Sequence, residues 1–101
     1  MALTPDEFAV IDCERPEIYE LFTQVVAMEI RLGRTKPIGP VWALYEARYR
    51  YGLRGVTNDV APYLARKWLR EHPHLPVMFD TKPSIADTAP GTSAQFAMAF
   101  A

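Results

Sequence analysis

Cys13 is the only cysteine in 101 residues, which excludes an intrachain disulfide and a thiolate metal cluster and suits a reducing compartment. No stretch reaches the roughly 18 uninterrupted apolar residues that span a bilayer. The opening MALTPDEF has no basic region followed by an apolar run, so a cytoplasmic protein without membrane contact is expected. Glycines 33, 39, 52 and 55 are dispersed, and no lysine is followed by serine or threonine, which excludes a phosphate-cradling loop. His72 and His74 stand two apart beside prolines, with no HExxH spacing or second cysteine to complete a metal site. No cofactor and no metal are implied. Without an assembled nucleophile or a tuned acid and base pair, no catalytic residues are assigned and the chain is not read as an enzyme.

The sequence does contain ample material for a core: 50% of it is hydrophobic and 12% aromatic. One domain is expected over residues 1–82, with 83–101 a weakly ordered C-terminal tail of small residues, prolines and a late Phe96, Met98 and Phe100. Thr4, Pro5 and Glu7 carry a capping box and predict a short helix ending before Pro16. Pro16 opens a second helix to about Leu32, closed by Gly33, with Ile18, Leu21, Phe22, Val25, Met28 and Leu32 on one broad side. After the linker 33–39, Pro40 opens a helix to about Tyr51 whose apolar positions Val41, Leu44, Tyr45 and Tyr49 share a face, with Trp42 at its edge. Gly52 and Gly55 mark a tight loop or very small hairpin. Asn58 or Asp59 caps a last helix that runs to about His72 before Pro73. The proline-rich 73–82 is expected to extend across the core, anchored by Val77, Met78 and Phe79.

Charge is segregated along the chain although the net charge is only −1. Residues 1–30 hold seven acids and one base, residues 31–70 nine bases and two acids, and residues 71–101 three acids and one base. Tyr63, Arg66, Lys67 and Arg70 recur at i, i+3, i+4 and i+7, with Leu64, Ala65, Trp68 and Leu69 opposite. That spacing predicts one buried face and one cationic face fit for a phosphate backbone, with Arg34, Lys36, Arg50 and Arg54 extending the footprint. Two charges fall inside apolar arcs: Glu29 on the second helix and Arg48 on the next. An interhelical ion pair between them is the economical arrangement, with Arg66 as a competing partner for Glu29. Cys13 reads as a buried small hydrophobe.

The pieces PEIYELF at 16–22, LGR at 32–34, WALYEARYR at 42–50, ND at 58–59, APYLAR at 61–66 and EHPHLPVMFDTK at 71–82 together resemble a family of small phage- and prophage-encoded proteins described as winged-helix DNA-binding proteins. The resemblance covers roughly residues 16–80. It implies a compact helical fold, a phage or prophage setting and binding of double-stranded DNA. Residues 52–58 leave little room for a full wing. The expected fold is therefore mainly α, a helix-turn-helix-like bundle of three main helices with a vestigial wing or a short extended C-terminal segment. The leading function is a DNA-binding protein acting as a transcriptional regulator or DNA-processing accessory factor. The alternative is a phage factor that binds and modulates a host protein through the same basic surface; a homodimer serves either.

Overall fold

Each of the four α-helices among the described residues begins with a proline in its first turn, at Pro5, Pro16, Pro40 and Pro62, where a missing amide hydrogen breaks no helical bond. The computed structural model describes residues 3–75 and Phe79. Its elements are α1 (Pro5–Glu14), α2 (Pro16–Arg31), α3 (Pro40–Tyr51), a 3-10 turn (Asn58–Val60) and α4 (Ala61–Glu71). The chain forms a small, mainly helical bundle, and no sheet occurs among the described residues. An isolated parallel bridge joins Ile38 to Phe79. The expected domain boundary at Lys82, the tail 83–101 and the anchors Val77 and Met78 lie outside the described residues.

The capping box at Thr4 and Glu7 is formed: Glu7 N–H donates to Thr4 Oγ1 at 3.2 Å, and Thr4 N–H to Glu7 Oε1 at 3.0 Å. These bonds, the backbone amide first, hold the Glu7 carboxyl below its usual range. α4 departs from its expected start. Val60 occupies the N-cap position with no side-chain cap bond, because the 3-10 turn leads directly into the helix. Asn58 Oδ1 accepts instead from Arg48, and the Asp59 carboxylate from the Thr57 hydroxyl. Residues 52–57 form a loop without strands, so there is no wing among the described residues.

α4 is the most enclosed element, with seven of its eleven residues buried. α2 faces it with Ile18, Phe22, Val25 and Val26, while its expected core residue Leu32 is 74% exposed beyond the helix end. α3 packs on both α2 and α4 through Pro40, Ala43, Leu44 and Ala47. α1 lies on α2 and reaches α4 through Phe8, whose ring stacks on Tyr63 with centroids 5.0 Å apart. Phe79 closes the core, stacked on Phe22 at 5.9 Å and edge-on to Trp68 at 5.8 Å.

Candidate functional site

The helix expected to face DNA is the centre of the bundle, so its cationic face is not an open surface. Tyr63 and Arg66 are each only 3% exposed. The Tyr63 hydroxyl donates to the Leu3 carbonyl, and burial raises its phenol pKa. Arg66 Nη1 donates to the Pro62 carbonyl at 2.9 Å, which holds its guanidinium against its own helix. Lys67 forms an ion pair with Asp12 of α1 at 2.5 Å, and its ammonium lies 4.2 Å from the Tyr19 ring centroid. Only Arg70 of the four is exposed. The physical reason is α1: the pattern at 63–70 left one face for a core, but α1 covers the side that carries Tyr63 and Lys67. A single helix pattern cannot reveal that two faces are covered.

The expected Glu29–Arg48 pair is replaced by two local arrangements. Glu29, 8% exposed, accepts from Arg34 Nη1 at 2.6 Å. Gly33 adopts φ 75, a conformation that glycine reaches without steric cost, and turns the chain so that Arg34 returns over the end of α2. A partner five residues away costs less chain entropy than one on another helix. Arg48 donates to Asn58 Oδ1 at 2.8 Å and to the Val56 carbonyl at 2.7 Å, tying the 52–57 loop to α3. Arg15 ties the same loop to α1 by donating to the Gly55 carbonyl at 2.8 Å, and its bond to Glu17 lowers the Glu17 pKa. Cys13 is exposed, contrary to expectation, because Phe8 and Ile11 supply the buried side of α1.

α3 is rotated relative to the face its apolar residues predicted. Only Leu44 of that set is in the core; Ala43 and Ala47 join it there because their small side chains let α3 approach its neighbours closely. The large residues point outward: Trp42 is 37% exposed, Tyr45 56% and Tyr49 79%, with Val41 beside them. Their spacing of three and then four residues makes a continuous aromatic seam along the outer side of the helix. Of the seven bases expected to touch nucleic acid, four lie on α3 or in the segments on either side of it. Arg34 places its guanidinium 4.9 Å from the Trp42 ring centroid while paired to Glu29. Arg50 pairs with Glu46 at 2.7 Å, which raises its pKa. Lys36 is exposed in the linker before α3, and Arg54 is exposed in the loop after it. The available signal was the alternation of alanine with aromatics in WALYEARYR, which gives α3 one tight face and one broad one.

A polar cluster between α1, α2 and α4 is the other concentration of titratable groups. Tyr19 donates to Glu71 Oε1 at 3.0 Å; burial first, then this carboxylate, raises its phenol pKa far above the ordinary value. Thr23 Oγ1 is buried beside the Tyr19 hydroxyl. His72 stacks on Trp68 at 4.2 Å with Nδ1 2.9 Å from the Trp68 carbonyl oxygen. No group of three metal-ligating side chains occurs among the described residues, and no described helix is long and apolar enough to cross a membrane. No family model, curated protein or solved structure matches the chain.

Proposed function

We propose that this chain is a protein-interaction factor that makes its contact through the outer face of α3. The observation that carries this reading is the exposed seam of Trp42, Tyr45 and Tyr49 beside Arg34 and Arg50. Tryptophan, tyrosine and arginine dominate binding energy at protein interfaces, since they bury much area with few torsions to freeze. Tyr45 and Tyr49, held outward on the helix and more than half exposed, form no hydrogen bond or ring contact among the described residues. In the phage setting that the sequence resemblance implies, the partner is a host protein.

The duplex-DNA reading, with a helix-turn-helix core, assigned Tyr63, Arg66, Lys67 and Arg70 to a recognition face. Burial of Tyr63 and Arg66 and the Lys67–Asp12 pair favour the protein reading over it. The test compares wild type with a Tyr45→Ser, Tyr49→Ser variant, both of which keep the inner face of α3. Wild type should retain a partner on affinity capture from host extract and bind it directly by calorimetry; the variant should lose at least tenfold in affinity. Salt-steep binding of duplex DNA that survives the double substitution would overturn the proposal.

A further inference from the structure

We infer that one occupant of the α3 seam is a second copy of this chain, which presents the outer face of its α1 in a head-to-tail contact. The inference rests on the reading of α3 as a protein contact. α3 places Trp42, Tyr45 and Tyr49 in the middle of its outer side, with Lys36 leading into the helix and Arg54 leaving it. α1 places exposed Ala9 and the 54% exposed Val10 in the middle of its outer side, with Asp6 near one end and Glu14 at the other. Neither carboxylate forms an ion pair among the described residues, and neither do Lys36 and Arg54. α3 is therefore an aromatic seam with a base in the segment before it and another in the loop after it, and α1 is acid, small apolar surface, acid. The aromatic rings of one copy can lie over the low relief at Ala9 and Val10 of the next while opposite charges meet at both ends.

The same charges select the symmetry. Joining α3 to α3 would bring bases onto bases, and joining α1 to α1 would bring acids onto acids; both are disfavoured where charge is poorly screened. α3 to α1 is the arrangement that neutralises both. Such a contact is heterologous: each copy keeps one free α1 face and one free α3 face, so association continues into a ring or an open chain. It also gives Asp6, Glu14, Lys36 and Arg54 a use that they do not have in the ion pairs of the bundle, where Asp12 serves Lys67 and Glu29 serves Arg34. A helix-on-helix contact is small against the roughly 1,200–2,000 Å² buried in stable interfaces, so its dissociation constant should be micromolar or weaker.

Sedimentation velocity on the full chain, from about 1 μM to about 1 mM and at low and high salt, tests the inference. Wild type should form species larger than a dimer as concentration rises, and salt should reverse this. Val10→Arg blocks α1 by standing a long side chain in the low relief on which the rings would lie; Tyr45→Ser with Tyr49→Ser removes the seam. Each variant alone should remain monomeric, and mixing the two should give a one-to-one dimer, because one intact α1 face and one intact α3 face remain. Circular dichroism melts establish that both variants are folded. A wild type monomeric throughout the range would overturn the inference, as would a Val10→Arg protein that still associates, which would assign the contact to α3 with α3. If wild type is monomeric while the seam variant still loses a foreign partner, self-association fails and the function proposed above stands; if capture is also unaffected, both fail.

Discussion

Glu29 and Tyr19 show how the same bundle manages ionisable groups by two routes. The Glu29 carboxylate is nearly buried, and Arg34 reaches it from just beyond the helix end. Removing one side leaves a charge with poor access to water, so a double-mutant cycle on Glu29 and Arg34 should give a coupling of about 1 kcal/mol. The same cycle on Glu29 and Arg48 should give none beyond about 0.3 kcal/mol, since Arg48 is engaged by Asn58 and the Val56 carbonyl. Chemical denaturation of the single and double alanine variants checks both. Tyr19 is held neutral by burial and by its bond to Glu71. Its folded pKa lies above its unfolded value, so its contribution is fully present below about pH 10 and is lost as pH rises towards the folded value. Phenolate absorbance of the folded protein should therefore show a component that ionises late on alkaline titration. That component should lose one tyrosine in Tyr19→Phe and keep the buried Tyr63, whose phenol is also raised; an unchanged amplitude would assign the late ionisation to other tyrosines.

α3 and α4 show what helical periodicity can and cannot reveal about an element. The bounds of α1, α2 and α3 were legible because prolines and caps punctuate them, and each signal acts within one turn of chain. Which face turns inward was not. On α3 the aromatics outweigh Ala43 and Ala47 in any hydropathy reading, but close approach to α2 and α4 favours the small residues. On α4 the cationic pattern was real but α1, whose Asp12 is 55 residues from Lys67 in sequence, covers part of it. The rotation of α3 has a direct consequence for stability. Leu44→Ala should cost about 2–5 kcal/mol, whereas Tyr49→Ser should stay within about 0.5 kcal/mol of wild type. A large loss for Tyr49→Ser would put that ring in the core. On α4, Arg66→Ala should cost about 1–3 kcal/mol through lost packing and hydrogen bonding, against about 0.5 kcal/mol or less for Lys36→Ala on the surface. Equal and negligible effects in thermal melts would return Arg66 to the solvent face.

For the whole molecule, Phe79 determines whether the helices and the chain after α4 unfold together. It is 1% exposed, packed on Phe22 of α2 and Trp68 of α4, and bridged to Ile38 in the linker before α3. One residue thus joins three of the segments that must stay in register, two through its ring and the third through its backbone. The sequence marked it as an anchor, because a proline-flanked run of apolar residues after the last helix has no use except burial; its bridge to Ile38 depends on tertiary placement that local pattern does not encode. Deleting the ring removes contacts on several elements at once and leaves a cavity at their junction, so Phe79→Ala should cost about 3–5 kcal/mol. Against a total of about 5–15 kcal/mol for a domain, that is a major fraction. For a domain of this size each kcal/mol lowers the melting temperature by about 4–8 °C, so the shift should be large and the transition should remain a single cooperative step. Phe79→Leu, which keeps most of the volume, should recover more than half of the loss. A Phe79→Ala protein that melts within a few degrees of wild type would show that the four helices close their core without the segment beyond α4.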